Sequence, residues 1–395
     1  MFPVLEAAPR ASRFESRLLG GEMVNYHFPG SLPPQTMPDL MDFHARLERA
    51  NQALGRLDGI SVVLPDIAIF LYSYMRKEAL LSSQIEGTQS SLSDLLHYES
   101  EDAEGVPIID VQEVSNYIRA MNHGLGVLED GFPLSLRLIR DIHRELLGKG
   151  CGSDKQPGEF RTTQNWIGGT RPGNAFYVPP PPESVLDYMS ELERFLHFDS
   201  PSMPVLVKAA ITHVQFESIH PFLDGNGRLG RLLITFLLCY ERMLSHPLLY
   251  LSLYFKQNRD LYYRLLTEVR TTGNWAAWIE FFLTGVEETA RGAFQAAQRI
   301  REIHERDRQS LSDLRREGPT VLRVFEAFRR TPGLTIKAAQ AKTGLTFPPV
   351  SKAMKILCDR KILRETSGKQ RGQFFVYNEY LAILSEGTEP LAQAA

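Results

Sequence analysis

The chain has 395 residues, 43% hydrophobic and 23% charged, a composition ordinary for a globular protein with ample core in two to three domains. It has no run of 18 apolar residues, and its start, MFPVLEAAPRASRF, lacks the basic-then-apolar layout of a signal peptide. Its three cysteines are odd in number and far apart, so neither a membrane span, export nor a disulfide framework is expected, and cytoplasmic residence is the default. The net charge of −3 is uneven: residues 318–380 hold 12 Lys/Arg against 4 Asp/Glu, the remainder 32 against 43. A basic module on an acidic body points to a polyanionic partner for that module.

In chain order, residues 1–35 read as irregular, broken by HFPGSLPP. Apolar spacing then predicts a helix over 39–57. A second follows Pro65 and Asp66, with Ile67, Phe70, Leu71, Tyr74 and Met75 on one face and a stop at Gly87. Ser91-x-x-Asp94 resembles a capping box opening a third helix ahead of Leu95 and Leu96. Two more are expected over 110–128 and 135–147. Between Cys151 and Pro182, GEFRTTQNWIGG, TRPGN and AFYVPPPP read as a short β-hairpin closed by a proline run. Helices resume over 183–198, 204–219, 226–243, 248–254, 259–271 and 275–283. The stretch 287–316 has few large apolar residues and reads as a helical connector. From Pro319, three short helices (321–330, 336–343, 350–361) and two strands (362–365, 373–377) resemble a winged helix-turn-helix. Lys352 and Lys355 on its third helix, with Lys369 and Arg371 in the wing, are placed to meet phosphates, so DNA is the expected partner of this module, with protein docking as the alternative.

The run His220 to Arg231, HPFLDGNGRLGR, carries the chemistry. A Gly-Asn-Gly turn opening a helix presents backbone N–H groups at the positive end of the helix dipole, an anion hole suited to a diphosphate. Arg228 and Arg231 are three apart and share a helix face. His220 is the side chain whose ordinary pKa suits a base at neutral pH, and Asp224 is a carboxylate beside the phosphate site. The plainer reading is a structural histidine before a Gly-rich helix cap. A zinc site from His197, His213 and His220 lacks the accompanying Cys or H-E-x-x-H pattern.

This run resembles the Fic family signature, HxFx(D/E)GNGRxxR, at every defined position, and the flank AAITHVQFESIHPF (209–222) is similar too. The resemblance implies a mainly α fold. It comprises an N-terminal helical segment (1–109), a helical Fic core with a β-hairpin flap (110–285), a connector (286–317) and a winged helix-turn-helix (318–385). It further implies a protein adenylyltransferase moving AMP from ATP to a Ser, Thr or Tyr hydroxyl. His220 would be the base and Asp224 the holder of Mg²⁺ or Mn²⁺. Gly225, Asn226, Gly227, Arg228 and Arg231 would bind the ATP phosphates, and Tyr263 and Gln215 would border the nucleotide. Some relatives carry Asn eight residues after the first tyrosine of the pair Tyr262–Tyr263, whereas this chain has Arg270. Core packing is the expected role of at least one of Tyr262, Tyr263 and Gln215. Gln164, Asn165, Trp166, Ile167 and Gly168 fall where the family's flap docks a target peptide by strand addition.

Ser82-Ser-Gln-Ile-Glu86-Gly87 is similar to the family's inhibitory motif, (S/T)xxxE(G/N). A carboxylate at a helix C-terminus is unfavourable by about 0.3–1 kcal/mol, which a cation would offset, and Arg231 is the candidate. Two other readings share these residues: removal of AMP from a modified protein, and a nucleotide-responsive DNA-binding regulator. The partners expected are a protein substrate (the chain itself included), DNA, and a second copy in a homodimer.

Overall fold

The computed structural model describes residues 10–63, 67–99, 108–148, 150, 152–198, 203–314, 316–369 and 372–391. Pro65, Asp66, Cys151 and Arg371, named above, lie outside the described residues. The elements are mostly helical: β1 (Arg13–Leu19), β2 (Glu22–Phe28), α1 (His44–Val63), α2 (Ile67–Ile85), α3 (Leu92–Glu99), α4 (Ile108–Glu129), α5 (Leu136–Leu146) and α6 (Val185–Leu196). There follow α7 (Val205–Ile219), α8 (Asn226–Tyr240), α9 (Ser252–Gln257), α10 (Arg259–Thr272), α11 (Trp275–Ser310) and α12 (Gly318–Arg330). The chain continues with β3 (Gly333–Thr335), α13 (Ile336–Thr343), α14 (Phe347–Asp359), β4 (Leu363–Glu365), β5 (Phe374–Tyr377) and α15 (Asn378–Ser385). Two compact units divide these elements, the first being Met1–Gln52, Arg119–Leu244 and Gln257–Glu287, the second Ala53–Ile118, Ser245–Lys256 and Glu288–Ala395.

The first unit is built on α7 and α8. Every residue of α7 from Leu206 to Ile219 is buried, polar ones included. α8 is equally apolar past its first turn. The two helices meet closely at Gly230, where a Cβ would stand 2.6 Å from Glu217 Oε1 and 3.2 Å from Phe216. Trp278 Nε1 donates to the Ala210 carbonyl at 2.9 Å, tying the start of α11 to α7. Residues 13–28, expected to be irregular, instead form an antiparallel hairpin. Its two-residue turn is Gly20–Gly21, at φ +57° and +89°, the left-handed pair that a tight hairpin turn demands. That signal was present in the sequence. His27 N–H donates to the Val178 carbonyl at 2.9 Å, so β2 flanks the segment that ends the flap.

The flap is less regular than expected. It is not a hairpin of two strands but a single bridge, Ile167 to Tyr177, closed by the 3₁₀ turn Pro172–Asn174. Gly168 and Gly169, both left-handed, turn the chain before a register can build.

In the second unit, α2 is buried along its C-terminal half, including Lys77, Glu78, Ser82, Ser83 and Gln84. Glu78 accepts from Ser252 and from Tyr117 Oη. Gln84 Nε2 donates to the carbonyls of Ser90 (3.0 Å) and Thr388 (2.8 Å), and its Oε1 accepts from Lys256 Nζ at 2.7 Å. The expected helix over 248–254 begins later, at Ser252, because the buried run Leu248–Tyr250 takes no regular secondary structure. The two helices expected over 275–283 and 287–316 are one, α11. Its second part is packed rather than a connector: Ala290, Ala293, Ala297 and Ile300 are buried, and Tyr74 Oη donates to the Ala293 carbonyl at 2.6 Å. Small residues there mark close approach. The C-terminal module holds the four helices α12 to α15, one more than expected, and a three-stranded antiparallel sheet in the order β3-β5-β4.

Candidate active site

His220 is the C-cap of α7, at φ +49° and ψ +60°. A left-handed non-glycine residue stores strain, and the surroundings must hold it there. Arg161, only 2% exposed, does so: its Nε donates to the His220 carbonyl at 2.9 Å, and its Nη2 reaches the carbonyls of Pro180 and Ile219. Burial pulls this guanidinium down to about 10. A cation on the last carbonyls of a helix is also well placed for the helix dipole. Asn165 Nδ2 donates to the carbonyls of His220 and Phe222. The imidazole is partly exposed, with Nδ1 4.0 Å from the buried Glu217 carboxylate, so an imidazolium formed there faces a negative charge.

The loop to α8 is clamped from both ends. Asn226 Oδ1 accepts from Phe222 N–H at 2.9 Å while its Nδ2 donates to the Phe222 carbonyl at 2.8 Å. His143 holds the middle. Gly158 N–H donates to its Nδ1, so Nε2 carries the proton and donates to the Asp224 carbonyl at 3.0 Å. Burial lowers this imidazole to about 4, keeping it neutral, and it stacks on Phe222 at 3.7 Å. The Asp224 backbone is thereby fixed and its carboxylate left 41% exposed, with Gly225 N–H and Arg228 Nη2 (3.5 Å) beside Oδ1. Gly225, left-handed at φ +76°, is the N-cap of α8, so the first-turn N–H groups have no partner within the helix. Arg228 and Arg231 are 4% and 3% exposed on that helix.

The motif therefore brings His220, Asp224, Gly225, Asn226, Gly227, Arg228 and Arg231 onto one turn and one helix start, all in the first unit. Residues 44–126 match the Fic/DOC family N-terminal domain, and residues 133–238 match the Fic/DOC family domain. The chain carries a Fic domain. The protein adenylyltransferases Fic of Drosophila ananassae and Drosophila grimshawi are each 30% identical to it over 187 residues, 47% of this chain. The chain spans only about a third of those relatives, 34% and 35% of their lengths. Among solved structures, a Fic family protein from Desulfovibrio desulfuricans G20 superposes with a TM-score of 0.57 at 20% identity, covering 88% of this chain and 98% of that one. A Fic domain containing signaling protein from Bacteroides thetaiotaomicron gives 0.51 at 18% identity, covering 64% and 97%.

The other predicted residues of this chain lie as follows. Tyr262 is core: His213 donates from Nδ1 to the Gly230 carbonyl and accepts at Nε2 from Tyr262 Oη at 2.8 Å, which occupies both ring nitrogens. Tyr263 is 38% exposed, with Arg259 over its ring. Gln215, 4% exposed, donates to the Gly30 carbonyl at 3.1 Å. In the flap, Gln164 and Asn165 turn their amides to nearby carbonyls, whereas Trp166 is 38% exposed and not buried. Ser82, Glu86 and Gly87 belong to the second unit, where Ser82 is buried and Glu86 is exposed on the turn after α2. His143 and Arg161 were not singled out from sequence. No local pattern marks them, since their partners are some 60 to 80 residues away.

Proposed function

We propose that the chain is a protein adenylyltransferase that moves AMP from ATP to a Ser, Thr or Tyr hydroxyl. The observation that carries this reading is the pairing of a strained, carbonyl-clamped His220 with the open N-terminus of α8 on a single turn. His220 takes the proton of the target hydroxyl. The oxygen attacks the α-phosphorus, a new P–O bond forms, the bond to the β-phosphate bridge oxygen breaks, and pyrophosphate leaves. The Gly225–Gly227 turn, Arg228 and Arg231 hold the phosphates and neutralise their charge, which is most of what such a transfer asks of a protein. The donor set fits one divalent cation. Asp224 offers an open carboxylate, and among the described residues no group of three ligating side chains exists, which suits Mg²⁺ held by one carboxylate plus phosphate and water. When bound, the ion supplies further charge neutralisation. The exposed Trp166 and the free turn of the flap support docking of an extended target there. In the test, purified protein is incubated with α-labelled and with γ-labelled ATP, alone and in lysate. Label should enter protein from the α-position only, and transfer from the γ-position would reject the reading.

Gly152 bears on Asp224 directly. It sits at φ +82°, and a Cβ there would lie 2.7 Å from Asp224 Oδ2. Gly152→Ala should therefore displace the carboxylate and raise the Mg²⁺ concentration for half-maximal transfer by about fivefold or more. A metal titration unchanged from wild type would remove Asp224 from the metal role.

The C-terminal module is proposed to bind duplex DNA. Lys352 and Lys355 are exposed and three apart on α14, with Lys352 paired to Glu317 at 2.5 Å. Replacing both by alanine should lower the slope of log K against log salt by about 2, near 0.9 per lost phosphate contact. An unchanged slope in gel-shift titrations would favour protein docking instead.

A further inference from the structure

A chain of polar groups, buried except at the exposed Ser12, runs from the N-terminal hairpin to the last turn of α7. Ser12 Oγ contacts the Arg270 carbonyl at 3.0 Å and His27 Nε2 at 2.8 Å. His27 Nδ1 lies 2.8 Å from Tyr177 Oη, which donates to the Ser218 carbonyl at 2.5 Å. Arg270 closes the loop, with Nε on Ser218 Oγ (3.1 Å), Nη2 on the Glu217 carbonyl (3.0 Å) and its guanidinium 4.0 Å over the Tyr177 ring. His27, Ser218 and Tyr177 are 1%, 2% and 8% exposed, so water cannot stand in for a missing partner. His27 and Arg270 both lie outside the stretches that match the family.

The four contacts ask for more protons than the three groups between them carry. Both end contacts are to backbone carbonyls, which only accept, so each claims the single proton of its hydroxyl. The two inner contacts then need a proton on each imidazole nitrogen. Burial, and Arg270 beside it, pull His27 down to about 3, so the ring is neutral and carries one. Burial pushes Tyr177 up to about 12, so its hydroxyl keeps its proton. Four contacts share three protons, and one must be left unmade. With the proton on Nδ1, Tyr177 stays bonded to Ser218 and the Ser12–Arg270 contact lapses. With it on Nε2, Ser12 holds Arg270 and Tyr177 turns its proton to His27, releasing Ser218. The short Tyr177–Ser218 contact and the longer Ser12–Arg270 one favour the first arrangement.

We infer that His27 is a positioning residue whose Nδ1–H tautomer, through Tyr177, ties the flap to the α7 turn that carries His220. Ser218 is two residues before His220, so releasing its carbonyl loosens the base while leaving the phosphate-binding start of α8 in place. The inference rests on the adenylyltransferase reading only for its effect on rate. The test uses the full chain with ¹⁵N-labelled histidine. In the wild type at neutral pH, His27 should show a protonated Nδ1 and a bare Nε2. A doubly protonated ring, or the Nε2–H form, overturns the inference without any substitution having been made. Tyr177→Phe keeps the ring and the Arg270 stacking but removes the link. It should shift the His220 ring resonances, and lower kcat for AMP transfer about tenfold with KM for ATP within about twofold. Adding His27→Asn to it should cost little more, because both act through one chain. Unmoved His220 resonances in Tyr177→Phe overturn the inference even if the protein transfers no AMP. A raised KM with unchanged kcat, or multiplying losses in the double variant, overturns it as well.

Discussion

His220→Ala should abolish the proposed AMP transfer, a loss of at least about 10²–10⁴-fold, while ATP affinity should stay within about threefold of wild type. The split follows from the site. The imidazole sits at the end of α7 beside Glu217, whereas the phosphates are assigned to the start of α8 and its arginines. The alanine keeps the left-handed turn only because Arg161 and Asn165 hold its carbonyl, so the loop that positions Asp224 should survive the change. Labelled-AMP incorporation and equilibrium ATP binding, measured on one preparation, check both halves. Transfer near the wild-type rate would remove His220 from the role of base. A collapse of ATP binding would instead make the histidine part of the nucleotide cradle.

Glu86→Gly should act in the opposite direction, raising self-modification and target modification together. α2 ends at Ile85, and Glu86 stands on the turn that follows, with its N–H bonded to the Ser83 carbonyl at 3.0 Å. A carboxylate there opposes the helix dipole, so it needs a compensating cation. The proposed cation is Arg231, which when so engaged would not hold the γ-phosphate. Removing one partner of such a pair releases a few kcal/mol, and each ~1.4 kcal/mol is tenfold in rate, so a gain of about tenfold to a thousandfold is expected. Glu86 is exposed, and solvent screening places the gain in the lower part of that range. Arg231→Ala should be inactive, and the double variant should stay inactive because the freed site still lacks its γ-phosphate ligand. An unchanged Glu86→Gly rate, or an active double variant, removes the inhibitory pairing. Loss of an ability to strip AMP from a modified protein would make AMP removal the leading activity.

The site could be read from the sequence because its chemistry is local. A turn, an anion hole and two arginines must be consecutive to share one helix start, and residues 220–231 place them so. What escaped was non-local. His143 bonds Asp224 across 81 residues, and Arg161 clamps His220 across 59, and neither leaves a periodic trace. The hairpin at residues 13–28 was missed despite its Gly-Gly turn, because the proline-rich stretch after it suggested irregular chain throughout. In α11, the gap expected between residues 283 and 287, which holds Gly285, did not form. A helical glycine costs only about 1 kcal/mol, and burial of Val286, Ala290 and Ala293 outweighs it. Alanines read as weak apolar signal proved to be the close-packed positions.

The polar burial of α2 sets an order of events during synthesis. Gln84 is one residue from the end of that helix, and its amide is completed by the Thr388 carbonyl and by Lys256, which in turn bonds the carbonyls of Gly387 and Glu389. A buried amide missing a partner costs about 1–3 kcal/mol. While the chain is still emerging from the ribosome those partners do not exist, so the turn bearing Glu86 is assembled among the last parts of its unit. The turn proposed to restrain the enzyme is thus braced by residues some 304 positions further along the chain, and a chain cut before Thr388 should hold Glu86 more loosely.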